Sequence, residues 1–233
     1  MGRFAGSRAA TILFALVSGA TVLATWLTLF DRRVVDSFLS AWMITAALTF
    51  LAVLVHELGH ALAALRYRQR IRAFAVFPFE LRFRPLRLSL SAADARRDTG
   101  GYVHYGGGDP SRYVVGLIAA AGPLASVALA LLALCAGFVL PLFAADAGAG
   151  IDVAQAGHGS SFLPSDGDVA HWVERWAAAE GQRRAAATGA GLSFALAVLS
   201  GGIGIANLIP VEGSDGQKML ECLLRPFGSS RPI

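Results

Sequence analysis

The chain has 233 residues, of which 55% are hydrophobic and only 15% charged, with a mean hydropathy of +0.56. A soluble domain carries about a quarter charged residues, so this composition excludes an ordinary soluble domain, and the length leaves room for one membrane domain with no appended soluble module. The net charge of +4 does not read as a nucleic-acid surface, because the arginines border apolar runs and no compact basic domain or stacking platform is visible.

A spanning helix needs about 20 mostly apolar residues, and four stretches qualify, at approximately 11–30, 41–65, 113–143 and 188–211. The first follows Arg3 and Arg8 as a secretory signal would. Its apolar run is longer than a typical signal core of about 7–15 residues, however, and it ends in FDRRVVDS without a small-residue cleavage site. It reads as a retained anchor.

The second span contains LAVLVHELGHALAAL, residues 51–65. On a helix His56 and His60 are four residues apart and project from one face, so two imidazoles can reach one ion while Glu57 stands one step round. This is the H-E-x-x-H arrangement in which two histidines hold zinc and the glutamate serves as general base. Ionisable groups inside a membrane are costly and mark function, which sets this reading above one in which the three are merely satisfied by neighbouring helices.

Residues 66–112 hold ten arginines against four acidic residues, whereas 144–187 hold three basic against six acidic. The positive-inside rule therefore places 66–112 and both termini in the cytoplasm, with the acidic loop of 144–187 outside. Within 66–112, FPFELRF (77–83) and LRLSLS (86–91) alternate apolar with other residues around Pro85, a period-two pattern that predicts a β-hairpin at or dipping into the cytoplasmic interface. GGYVHYGGG (100–108) is a short β-prone core between glycines. By residues alone it is equally a strand or a glycine-rich loop. His104 there is a surface or supporting residue, since a fourth protein ligand would close the position that a catalytic zinc keeps for water.

The third span carries AGPLAS, residues 121–126, where Gly122-Pro123 can locally break or kink the helix and leave a gap, consistent with helix–helix packing or an opening to the site. The stretch 144–187 reads as a flexible outer loop that includes His158 and His171, with a short amphipathic surface helix over 169–187. Trp26, Trp42, Trp172 and Trp176 fit interfacial anchoring, and Cys135 and Cys222, far apart in the chain, read as packed thiols.

After the fourth span comes NLIPVEGSDG, residues 207–216. A catalytic zinc takes three protein ligands, and Pro210 and Gly213 can turn the chain inward here. Asp215 is the preferred third ligand because Asp-Gly supplies a tight turn. Glu212 is the competing carboxylate.

HELGH in a membrane span, AGPLAS, and Asn207-x-x-Pro210 followed by Asp215-Gly216 together resemble the site-2 protease family, the M50-type intramembrane zinc metalloproteases, over about residues 41–218. The resemblance implies one Zn²⁺ per chain held by His56, His60 and Asp215, with Glu57 activating water and Asn207 close to the scissile peptide. It also places Gly101, Tyr102 and Val103 beside the active site, where an edge strand would pair with an extended substrate. The chain departs from the family in VEGSDG, where a proline-rich approach is common, and in Ser126, where Asn is frequent. The expected form is a short one, without PDZ or CBS domains.

The expected fold is an all-α integral membrane protein of about four transmembrane helices, with a membrane-associated β-hairpin or strand region between helices two and three, forming one membrane-embedded metalloprotease domain over 1–233. The expected function is hydrolysis of a peptide bond in or near a transmembrane segment of a membrane protein, in regulated intramembrane proteolysis. Its partners are that substrate and the lipid bilayer, with no nucleic acid. The Ala- and Arg-rich, Lys-poor composition points to a GC-rich bacterial genome, the expected location is the bacterial inner membrane, and nothing in the sequence specifies an oligomeric state. Two rival classes use the same ligands. A metal-binding or transport protein predicts further ligands along a path across the bilayer, which the sequence lacks; an inactive scaffold predicts loss of a ligand or of Glu57, and all are present.

Overall fold

Long apolar runs with few helix breakers form helices, and the sheet sits where arginines and prolines interrupt them. The computed structural model describes residues 8–90, 100–106, 111–149 and 166–224. In chain order these form α1 (Arg8–Asp31), α2 (Phe38–Arg66), β1 (Arg70–Val76), β2 (Phe79–Phe83), β3 (Leu86–Leu90), β4 (Gly101–Gly106), α3 (Arg112–Ala149), α4 (Asp166–Leu208) and α5 (Asp215–Leu224). Four helices are long and apolar enough to cross a membrane, over Arg8–Asp31, Phe38–Arg66, Arg112–Phe143 and Val173–Leu208. The protein is therefore a multi-pass integral membrane protein.

Local chemistry sets the ends of these helices. Ser37 caps α2 by accepting from the Ser40 N–H at 3.2 Å, which satisfies one orphan donor of the first turn. At the other end Arg68 takes the left-handed conformation (φ 60°), and the Gln69 N–H returns to the Ala64 carbonyl at 2.9 Å, reversing the chain into β1 as a helix C-terminal motif does. In α1 the hydroxyls of Thr21, Thr25 and Thr28 each donate to the carbonyl four residues earlier at 2.8 Å. No hydroxyl of this trio faces lipid without a partner.

The helices meet through small residues. Ala41, Ala52, Ala64, Ala119, Ala195 and Ser200 are among the most buried positions, while large apolar side chains such as Leu16, Leu27, Leu132 and Phe138 point outward. That is the inside-out pattern of helices that associate by close backbone approach within lipid. At the α2–α3 contact the fit is reciprocal: a Cβ on Gly59 would lie 2.5 Å from the Ala121 carbonyl oxygen, and one on Gly122 would collide with the His60 imidazole. α4 is the most enclosed of the four, packing along α3 and α1.

Between α2 and α3 lies a four-stranded antiparallel sheet in the order β3-β2-β1-β4. The predicted hairpin is its β2–β3 unit, with Phe79 opposite Leu90 and Phe83 opposite Leu86. Residue 91 of that prediction, and 107–108 of the glycine-flanked one, lie outside the described residues. β1 was not expected; RIRAFAV has the period-two alternation of a strand, obscured by two arginines in a run read for its charge. The sheet stands along α2. Phe79 meets Phe50 edge-on at 6.0 Å between ring centres, and Gly101 lies against Glu57.

Three other expectations change. The surface helix over 169–187 is no separate element, because α4 runs unbroken from Asp166 to Leu208; Ala177–Ala179 and Ala185–Ala187 are strong helix formers that join it to the span. α3 likewise continues through Pro123, so Gly122-Pro123 serves packing rather than a break. Both cysteines are free, but Cys135 is exposed rather than packed. Arg3 and His158 lie outside the described residues.

Candidate metal centre and active site

Two elements bring the predicted ligands together. α2 supplies His56 and His60, and α5 begins at Asp215, just after a turn that the Ser214 hydroxyl ties down by donating to the Ile209 carbonyl at 2.7 Å. All three side chains are buried, and their ligand atoms lie within 4.8 Å of one another, a grouping able to hold a metal ion. The Nε2 atoms of His56 and His60 are 3.3 Å apart, and each lies 3.1 Å from Asp215 Oδ2. Around a tetrahedral ion with bonds of about 2.0–2.1 Å, adjacent ligand atoms are separated by about 3.3 Å. The fit is close.

Hydrogen bonding behind the rings favours the same conclusion. His60 Nδ1 lies 2.7 Å from the Ile118 carbonyl oxygen, which can only accept, so this nitrogen carries the proton and a neutral ring presents a bare Nε2. That lone pair faces the Asp215 carboxylate and the second imidazole. Such a meeting of acceptors is unfavourable unless a proton or a cation lies between them. Behind His56, Nδ1 lies 2.9 Å from the hydroxyl of Ser126, which is fully buried. The Ser126 carbonyl in turn accepts from the Ser200 hydroxyl of α4 at 2.8 Å. Ser126, where the sequence offered only a departure from Asn, thus stands directly behind a predicted ligand.

Burial of Asp215 opposes its ionisation, but a proton carried by His56 or His60, or a cation in its place, together with the Lys218 ammonium, 3.5 Å from Oδ1, outweighs it. The carboxyl is then held below the usual carboxylate range. Glu212, the competing carboxylate, is exposed and outside the cluster.

Glu57 is 7% exposed and borders a cavity of about 740 Å³ that also touches both histidines and Asp215. Gly101, Tyr102, Val103 and Asn207 line the same cavity. A Cβ at Gly101 would sit 2.7 Å from Glu57 Cγ, so only a glycine lets this strand approach so closely. Among the described residues β4 pairs with β1 on one side, and no strand pairs with its other edge. Asn207 is half-buried and spends one amide N–H on the Ile203 carbonyl at 3.0 Å. His104 is exposed and does not line the cavity.

Sequence reasoning missed four contributors. The Ile118 carbonyl carries no side-chain signal, and Ser200 is an ordinary serine in an apolar helix. Gly122 and Ser126 could have been found from AGPLAS, had its small residues been read as space for two imidazoles.

The family model of peptidase family M50 matches residues 44–232. No curated protein and no solved structure matches the chain. The match starts within α2 ahead of HELGH and runs beyond Asp215, taking in every element that meets at the histidine–aspartate cluster. The chain belongs to peptidase family M50, the site-2 protease family of metallopeptidases.

Proposed function

We propose that the protein is a zinc endopeptidase that cuts a peptide bond in or near a transmembrane segment of another membrane protein, in regulated intramembrane proteolysis. The observation that carries this is the convergence of His56, His60 and Asp215, at tetrahedral spacing, beside Glu57 on a cavity bordered by the last strand of the described sheet. In this reading the described elements act as one membrane-embedded catalytic unit in a bacterial inner membrane, with both termini and the arginine-bearing end of the sheet on the cytoplasmic side.

His56, His60 and Asp215 would hold the ion, and zinc there supplies Lewis acidity, polarising a carbonyl and making water more acidic. The chain's own groups do the rest. Glu57 takes a proton from water on its carboxylate and later gives it to the leaving amine. Asn207 donates its second amide N–H to the oxygen on which charge develops. The outer edge of β4 at Gly101, Tyr102 and Val103 pairs with a locally unwound substrate, exposing carbonyls that a helix keeps in its own hydrogen bonds.

Ser126 and the Ile118 carbonyl fix the rings. Ser126→Ala should weaken zinc affinity about 10–100-fold, the usual loss when a ligand's outer partner is removed, and competition with a chromophoric chelator measures it. Unchanged affinity would mean that packing alone orients His56.

The first experiment is zinc content and chelator-sensitive cleavage of a panel of model membrane segments by the purified protein in detergent. One zinc per chain with cleavage that disappears on chelation supports the reading. Zinc without cleavage of any segment would favour a metal-transport or scaffold role.

A further inference from the structure

Away from the cavity, the β2–β3 end of the sheet carries charges that hydrolysis does not use. Register places Arg82 directly opposite Arg87, in a row that continues through Ala73 to His104, while Arg84 sits in the turn between the strands. Like charges facing each other across an antiparallel pair are destabilising. Arg82 is compensated by Glu80, whose Oε1 accepts from its Nε at 2.6 Å. Among the described residues neither Arg84 nor Arg87 has an ion-pair partner, and both are exposed. Two of the three guanidiniums lack an anion among the described residues.

The opposite face of the same strands is apolar and uncovered. Leu86, Leu88 and Leu90 are 72%, 71% and 70% exposed and align with Phe83, Leu81 and Phe79 on β2. Phe79 rests on Phe50, about 24 Å along α2 from Arg66 at 1.5 Å per residue. The sheet therefore reaches from the end of a spanning helix into the depth of the bilayer, with its phenylalanine–leucine row deep and its arginines towards the Arg66 end.

A surplus of guanidinium joined to a bare leucine face matches the two halves of one kind of molecule. An acidic peptide would satisfy the arginines and leave the leucines uncovered, whereas a zwitterionic lipid would cover the leucines without neutralising the charge. We propose that Arg84 and Arg87, beside the Arg82–Glu80 pair, bind the headgroup phosphate of an anionic phospholipid whose acyl chains lie over Leu86, Leu88 and Leu90. Clustered arginines next to a spanning helix suit such headgroups, and bidentate guanidinium–phosphate bonding suits Arg in particular.

Native mass spectrometry of the full chain, given equal amounts of phosphatidylglycerol and phosphatidylcholine with the same acyl chains, tests this. The native protein should retain phosphatidylglycerol preferentially, and raising the salt should erode the preference. Each arginine near the surface contributes about fivefold in affinity, so Arg84→Gln with Arg87→Gln should lower the preference about tenfold or more. The same charge change at Arg183 and Arg184 should leave it intact. A native protein with no preference, or a double variant that keeps it, overturns the proposal. Displacement of the lipid by inorganic phosphate also overturns it, since the site would then take a free anion.

Discussion

Glu57→Gln should keep one zinc per chain and lose about 10²–10⁴-fold in cleavage rate, the range that a positioned general base contributes. The substitution is nearly isosteric, so the wedge between Glu57 and Gly101 survives while the group can no longer take a proton. The two readouts separate the roles. Metal analysis that found the variant empty would make Glu57 a ligand, and cleavage that continued undiminished would remove it from the chemistry altogether.

Asp215→Ala should lower zinc affinity by more than the ~10–100-fold expected when an outer partner is lost. It removes the one carboxylate of the cluster and leaves two imidazoles with a nearby Lys218 that has lost its counter-ion. At the same concentration zinc should then raise the melting temperature much less, because a ligand's stabilisation grows with the logarithm of its concentration over its dissociation constant. Glu212→Gln, at the exposed carboxylate three residues earlier, should bind zinc and melt as the native chain does. If the two variants exchanged behaviours, the third ligand would have been misassigned.

Much of the architecture was legible because membrane solvation leaves few options. A run of about 20 apolar residues must be helical to satisfy its own backbone, and this made the four spans readable from hydropathy. The two histidines were readable because four residues on a helix is a geometric statement. Asp215 was reachable because the turn residues around it declare a change of direction.

What escaped was decided by contacts rather than by pattern. β1 hid because Arg70 and Arg72 marked the segment as charge, although its pairing with β2 and β4 makes it the inner strand of that half of the sheet. The length of α4 was missed because acidic and glycine residues in its first half suggested a loop, where helix propensity from the alanines prevailed. The supports of the two imidazoles come from a backbone carbonyl and a single serine hydroxyl on α3. No residue-type signal points to the first, and the second is visible only once α3 is laid against α2.

That sheet is also internally tied. Glu80 on β2 and Tyr102 on β4 share a row with Ala75 between them, and a hydrogen bond from Tyr102 joins the bond from Arg82 in holding the Glu80 carboxyl below its usual range. The small alanine lets the two outer side chains meet across the middle strand.

Gly59 and Gly122 interlock α2 with α3, and the ligand from α5 lies 159 residues after His56. During biosynthesis α2 therefore enters the bilayer with its histidines unsupported, lacking both the groups on α3 that orient them and the carboxylate that completes the cluster. A nascent chain halted before residue 215 holds no three-ligand site. If these three residues hold the metal as proposed, hydrolytic competence arises only as assembly finishes, and a chain still being inserted has none.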